Sequence, residues 1–181
     1  MLDYLASTTE RSGDYRADIV RRAHALRYGR DEAERRIEAG IRFDDSFPEF
    51  VRACIAAAVE LVVLTSGVQE LVERYLARRE VTLPVVGNAA EFRGDGWRIR
   101  FRDESPAGID KCAFVERARN EGRTAIVIGD DRSDFEAALA ADVTYAKSGS
   151  ELERFLRLQL RACRSFDRFD DILERWPPSD W

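Results

Sequence analysis

Thr124–Lys147, TAIVIGDDRSDFEAALAADVTYAK, is the stretch that decides the fold of this 181-residue chain. It opens with a run rich in β-branched side chains and free of polar breaks, which is typical of a strand buried on both faces. Gly129 ends this run, and apolar residues return at helical spacing from Phe135, with Ser133 as a candidate N-cap. The stretch therefore predicts a buried strand that leads directly into a helix.

Three carboxylates stand in the turn between this strand and its helix. Asp130, Asp131 and Asp134 lie so close together in the sequence that they repel one another unless a cation or a structural partner compensates. Open α/β sheets bind their ligands at the carboxyl ends of strands, and Mg2+ prefers oxygen ligands of this kind. The pattern leaves two interpretations open, a magnesium site and a turn rich in helix caps.

The rest of the chain predicts a helical beginning and then alternating strands and helices. Helical patterns end at Gly29 and Gly40 and resume from Ser46. Later strands are predicted at 59–64, 84–86, 124–128 and 143–146, and later helices at 69–79, 110–120, 150–163 and 170–176. Residues 91–101 alternate around a Gly-Asp-Gly turn, as a β-hairpin does. Strands that alternate with helices predict a parallel α/β sheet.

Composition limits the class of protein. A net charge of −5 argues against general nucleic-acid binding. No apolar run approaches the ~20 residues that a membrane span requires, and no basic-then-apolar leader is present. Three scattered cysteines do not form a disulfide framework or a zinc pattern, so we expect a reduced, cytoplasmic protein.

Several phrases of the sequence resemble, in order, the motifs of a known family. VVLTSG at 62–67, DKCAFVERAR at 110–119 and IGDDRSDFEAALAADVTYAK at 128–147 resemble motifs two, three and four of the haloacid dehalogenase-like superfamily. With FDDSFPEFV at 43–51 and NAAEF at 88–92, the sequence is similar to the phosphoserine phosphatase branch. Within that branch it most resembles the bacterial 2-hydroxy-3-keto-5-methylthiopentenyl-1-phosphate phosphatases.

The resemblance implies a fold and a division of the chain. The fold is a Rossmannoid parallel sheet with a small N-terminal helical cap and a β-hairpin insertion. We expect the cap segment within residues 1–45 and the α/β core within 46–181, with the hairpin at about 90–101.

The resemblance also implies roles for individual residues. Ser66 and the backbone N–H of Gly67 would bind a phosphoryl oxygen of a small phosphorylated metabolite. Lys111 would neutralise the charge of the phosphate and of the acids around it, a task that suits its compact ammonium group. Asp130 and Asp134 are the implied Mg2+ residues, and Asp134 would orient a metal-bound water or Lys111. The implied lineage function is Mg2+-dependent hydrolysis of a phosphomonoester through an aspartyl-phosphate.

The family's first motif, an apolar strand followed by Asp-x-Asp-x-Thr, has no match in this sequence. That motif supplies the nucleophile and the general acid/base. The nearest candidate nucleophile is Asp3, but the two residues before it, at ~3.3 Å each, are too few for a strand that spans a sheet. Three interpretations stay open. In the first, the chain begins at an internal methionine and the nucleophile lies upstream of Met1. In the second, the chain is a degenerate member that binds a phosphorylated ligand or a protein partner without turnover. In the third, Asp3 is an atypical nucleophile.

The missing motif also affects the expected sheet, because its strand lies between the strands that carry motifs two and four. Each backbone group left unpaired in a core costs about 1–3 kcal/mol. The strands at 59–64 and 124–128 would therefore pair directly, or something else would fill the gap, and strand exchange in a homodimer is one possibility. For the chain as it stands, we expect a phosphate and Mg2+ pocket with little or no turnover.

Overall fold

The computed structural model describes residues 15–176, and the chain divides into two compact units. The first unit comprises Met1–Phe43 and Leu61–Ile109, and the second comprises Asp44–Glu60 and Asp110–Trp181. The boundary that the sequence analysis places at residue 45, between cap segment and core, stays a prediction.

Helices and strands alternate along the described residues. In chain order they are α1 (Tyr15–Ala25), α2 (Arg30–Gly40), α3 (Phe47–Ala56), β1 (Val63–Val68), α4 (Gln69–Ala77), β2 (Val85–Phe92), β3 (Trp97–Arg100), α5 (Lys111–Asn120), β4 (Ile126–Gly129), a 3₁₀ turn (Arg132–Asp134), α6 (Phe135–Ala140), β5 (Val143–Lys147), α7 (Glu151–Leu158), β6 (Arg164–Phe166) and α8 (Phe169–Leu173).

The first unit is a three-stranded sheet with two helices from the N-terminal part of the chain packed on its hairpin. β1 runs parallel to β2, and β2 continues as the first strand of the hairpin with β3. A single strand thus covers what the sequence analysis predicts as a short strand and half a hairpin. Trp97 of β3 is buried against Ala23 and Ala33, and its indole N–H donates to the carbonyl of Tyr28 at 2.9 Å.

Ion pairs also fix α2 to α4 within this unit. The carboxylate of Glu34 is buried and contacts the guanidinium groups of Arg74, at 3.3 Å, and of Arg78. Glu38 pairs with Arg79 at 2.7 Å. Because Glu34 is buried, loss of its two arginine partners would leave an uncompensated charge in the interior.

The second unit is a parallel three-stranded sheet in the order β4-β5-β6, with helices packed on it. Small apolar residues of α6 join Val115 of α5 in one buried cluster, and Leu152 and Leu156 of α7 pack on Ala146 of β5 in another. The sequence analysis did not predict β6, which has only three residues and the polar sequence Arg-Ser-Phe.

Two boundaries predicted from the sequence differ from the structure. β1 begins at Val63, so that Ser66 and Gly67 lie inside the strand and not after its end. α7 ends at Leu158, five residues before the predicted end, because Leu160 adopts a left-handed conformation with φ of +54°. Leu160 lies beyond the end of the helix and is consequently 94% exposed.

Within residues 15–176, β1 pairs only with β2 and β4 pairs only with β5, so each has one edge without a described partner strand. Every residue of the two strands is partly exposed, although each strand contains part of an apolar run that is typical of a buried strand.

None of the helices in the described part of the chain is both long enough and apolar enough to cross a bilayer.

Candidate functional site

The loop after β4 is held by the side chain of Asp131. Its Oδ1 accepts hydrogen bonds from the backbone N–H of Ser133 at 2.7 Å and from the Ser133 hydroxyl at 2.6 Å. Asp131 is therefore the N-cap of the 3₁₀ turn, and the prediction of Ser133 as the cap is wrong. The reason is that the helical turn starts earlier than the apolar pattern, so the cap precedes Ser133 by two residues.

Asp134 connects this loop to Lys111. One oxygen of its buried carboxylate, Oδ2, accepts the backbone N–H groups of Asp130 at 3.0 Å and Asp131 at 3.3 Å. The other oxygen, Oδ1, lies 2.7 Å from Lys111 Nζ. Hydrogen bonds between charged groups are the stronger class, so the carboxylate fixes both the loop backbone and the lysine.

Lys111 is the first residue of α5, where a cation is disfavoured by the helix dipole. Asp110 caps the helix by accepting the N–H of Ala113 at 3.0 Å. Lys111 also donates to the Ser133 hydroxyl at 2.8 Å. The pairing of Lys111 with Asp134, 23 residues away, compensates its unfavourable position.

Gly129 permits the close approach of Asp134 to the end of β4. A Cβ at this position would lie 2.5 Å from Asp134 Oδ2 and 2.7 Å from its Cγ. Both distances are below van der Waals contact, and the neighbour is a side chain already fixed by three hydrogen bonds. Only glycine leaves this arrangement undisturbed.

The acidic cluster has the chemistry of a Mg2+ site. Asp130, Asp131 and Asp134 each offer one carboxylate oxygen, and these oxygens lie within 4.8 Å of one another. Within the described residues, the carboxylate of Asp130 accepts no hydrogen bond, whereas both oxygens of Asp134 are engaged. Asp130, and Asp131 through Oδ2, are thus better placed as ligands than Asp134, whose metal role stays a prediction. The sequence analysis counted Asp131 among the acids of the turn but named only Asp130 and Asp134 as Mg2+ residues, and the signal for a cap at Asp131 was the Asp-x-Ser spacing.

Electrostatics in the cluster disfavour the charged form of Asp130. Its carboxylate reaches solvent on one side, but the loss of hydration from the surrounding protein raises its pKa, and repulsion from Asp131 and Asp134 adds to this. Lys111 and Lys147 oppose the shift without cancelling it. Such an excess of negative charge is what a divalent cation compensates.

Ser66 and Gly67 belong to the first unit. The N–H of Gly67 donates to Thr65 Oγ1 at 3.0 Å, so a phosphate would compete for this donor. The hydroxyl of Ser66 makes no hydrogen bond with the described residues, and its backbone carbonyl accepts from Asn88 at 2.8 Å. The phosphate roles of both residues stay predictions. Asp3, the candidate nucleophile, lies outside the described residues.

Acids at the carboxyl end of a parallel strand, with a lysine paired to one of them, place a candidate ligand site at this edge of an α/β sheet. A family model described as haloacid dehalogenase-like hydrolase matches residues 1–139. The chain belongs to this family, and the resemblance drawn from its motifs is confirmed.

The curated proteins with sequence similarity to the chain include two yeast proteins and a bacterial one. Pdp3-interacting factor 1 of Schizosaccharomyces pombe is 27% identical over 78% of this chain and 66% of its own length. Polyol phosphate phosphatase PYP1 of Saccharomyces cerevisiae is 28% identical over 76% and 64%. A 2-hydroxy-3-keto-5-methylthiopentenyl-1-phosphate phosphatase of Brevibacillus brevis is 30% identical over 61% and 52%. The chain thus spans between half and two thirds of the length of these relatives.

A solved structure confirms the fold. The crystal structure of an apo phosphoserine phosphatase superposes with a TM-score of 0.68 at 14% identity, over 96% of this chain and 83% of that one. The predicted α/β fold of the haloacid dehalogenase type is therefore confirmed.

Proposed function

We propose that this chain binds Mg2+ and the phosphoryl group of a small phosphomonoester, and that the 181-residue chain does so with little or no turnover. The observation that carries the proposal is the Lys111–Asp134 ion pair beside the free carboxylate of Asp130. Low turnover is inferred from the sequence, which contains no Asp-x-Asp-x-Thr to supply a nucleophile and a general acid.

Lys111 and the residues of the loop after β4 would have different roles in binding. Asp130 and Asp131 would hold the cation, which when bound would neutralise charge on the phosphoryl oxygens. An ammonium group has three N–H donors, and Lys111 directs two of them to Asp134 and Ser133. The third is left for a phosphoryl oxygen. Asp134 would hold Lys111 in this orientation.

That the ligand is a small phosphorylated metabolite is inferred from the relatives. Two of the relatives are named as phosphatases of such compounds.

Binding of a protein partner is the second candidate. One relative is named for its interaction with a protein, Pdp3, and a degenerate hydrolase could retain a phosphate site for such a role. Supply of a nucleophile by Asp3 is the remaining alternative.

Hydrolysis of p-nitrophenyl phosphate in the presence of Mg2+ tests the expected lack of turnover and separates both binding candidates from catalysis that uses Asp3. We expect the purified chain and its Asp130→Asn variant to give the same rate, indistinguishable from buffer. Turnover by the wild type that Asp130→Asn abolishes would contradict the proposal and would assign activity to this chain. In that case loss of activity in Asp3→Asn would identify the nucleophile.

A further inference from the structure

A cavity of about 450 Å³ is lined by the start of α4, by β2 and by the end of β3. All of its lining residues belong to the first unit. Its β2 side consists of the small residues Gly87, Ala89 and Ala90 together with the buried Asn88. Cavities of about 300–1,000 Å³ suit small organic ligands, so this one has room for a metabolite.

Two arginines, Arg100 of β3 and Arg102 just after it, line this cavity. Within residues 15–176, their guanidinium groups form no hydrogen bond, ion pair or ring contact, and Arg102 donates only through its backbone N–H. Arg93 of the same hairpin, by contrast, pairs with Glu91 at 2.9 Å. Positive charges gathered at a cavity without compensation attract anions. The cavity therefore has the electrostatics of an anion site.

The backbone fixes the positions of both arginines. Arg100 lies directly opposite Ala89 in the antiparallel ladder, and the side chains of opposite residues share a face of the sheet. The small side chain of Ala89 leaves space beside the guanidinium group. The N–H of Arg102 donates to Oδ1 of Asn88, which is 1% exposed, at 3.1 Å. A site whose backbone is already fixed loses less entropy when it binds a ligand.

The wall formed by α4 carries two acids in different environments. Glu70 is compensated by Arg30 at 2.8 Å and by Arg74 at 3.1 Å. Glu73 accepts a hydrogen bond from Gln69 Nε2 at 2.8 Å and forms no ion pair with the described residues. A carboxylate has about four lone-pair sites, so Glu73 can accept a further hydrogen bond from a ligand hydroxyl group. The cavity thus combines cationic donors on the hairpin with an acceptor on the helix.

We propose that this cavity binds a small hydroxylated organic anion, with its carboxylate or phosphoryl group at Arg100 and Arg102 and a hydroxyl group at Glu73. The planar fork of a guanidinium group matches two oxygen atoms of either anion and forms paired hydrogen bonds with them. No residue of the loop after β4 takes part. The site is therefore additional to the proposed function and does not depend on it.

Calorimetric titration of the purified chain with malate and with glycerol 3-phosphate, in buffer without Mg2+, tests the proposal. Both probes carry a hydroxyl group, and they differ in whether the anionic group is a carboxylate or a phosphoryl group. We expect saturable binding of at least one probe. In the double variant Arg100→Gln, Arg102→Gln its affinity should fall at least about tenfold, or 1.4 kcal/mol. The melting temperature without a probe should not change, because neither guanidinium group has a partner among the described residues.

Three further variants locate the bound probe. Arg93→Gln removes the same charge from the hairpin outside the cavity, so it should bind as the wild type does. Ala89→Leu fills part of the cavity and keeps both arginines, and it should weaken binding without a change in charge. Glycerol 3-phosphate also fits the proposed phosphoryl site at Lys111, so it is titrated into Lys111→Met as well. Binding to the cavity should survive that change.

Four results would overturn the proposal. The first is the absence of saturable binding of either probe up to about 10 mM, which corresponds to less than about 3 kcal/mol. The second is wild-type affinity in the double arginine variant. The third is an equal loss in Arg93→Gln, which would show a general effect of charge. The fourth is binding that Lys111→Met abolishes, because the probe would then bind at the loop after β4.

Discussion

The absence of a side chain at Gly129 is what lets Asp134 reach the end of β4. Gly129→Ala would place a methyl group 2.5 Å from Asp134 Oδ2. We expect the carboxylate to move, Lys111 to lose its partner, and the protein to lose about 1–3 kcal/mol of stability, as overpacked sites do.

Phosphate affinity in Mg2+ buffer should fall at least about tenfold in this variant, because the lysine is no longer oriented. Gly29→Ala is the matched control, since its Cβ would make only ordinary contact, 3.7 Å from Phe92 Cδ1. If both variants bind phosphate equally well, the packing of Gly129 against Asp134 has no part in the site.

At the scale of elements, Asp44 fixes α8 to the start of α3. Its Oδ1 accepts the Ser46 hydroxyl at 2.6 Å, and its Oδ2 accepts the backbone N–H of Phe169 at 3.0 Å. Burial alone would raise the pKa of Asp44, but these hydrogen bonds, with Arg168 nearby, outweigh it and hold the pKa below its ordinary value. The ring of Phe169 packs on Phe47 at a centroid distance of 4.7 Å.

Asp44→Asn should therefore lower the free energy of unfolding by about 1–2 kcal/mol at neutral pH. A carboxyl group with a depressed folded-state pKa stabilises the fold above its unfolded-state pKa. That contribution is lost as the pH falls through the folded-state value. Urea unfolding at several pH values should show the wild type and variant converging in acid. Asp45→Asn, at the exposed neighbour, is the control. If the free energies of unfolding of the wild type and Asp44→Asn differ by the same amount at every pH, the carboxylate is not the source of the difference.

Helices and strands were predicted correctly where the local pattern of apolar residues determines them. The predictions failed where contacts between residues distant in the sequence determine the structure. The apolar runs before Gly129 and at Val143 predicted the bounds of β4 within two residues and those of β5 within one. The polar second half of β1 was missed because it pairs through a bulge and a side-chain amide, neither of which leaves a periodic pattern. The motif placed Lys111 and Asp134 in one site, but the cap formed by Asp131 depends on a 3₁₀ turn that periodicity does not reveal.

At the scale of the whole molecule, one edge of β1 and one edge of β4 pair with no other strand of residues 15–176. Each edge exposes backbone groups that would favour pairing with another strand. Homodimer formation through such an edge stays a prediction, and light scattering after size-exclusion chromatography would measure it.

The most direct test of the central claim is the melting temperature with Mg2+ and inorganic phosphate, alone and together. For the wild type we expect a rise of about 5–10 °C at phosphate about 100-fold above its dissociation constant.

Asp130→Asn should melt higher than the wild type without ligands at neutral pH. Burial and neighbouring acids raise the pKa of Asp130, so its ionised form costs stability above that pKa. The same variant should show no rise with Mg2+, and Lys111→Met none with phosphate. Equal rises in all three proteins would contradict the account, because the ligands would then bind elsewhere.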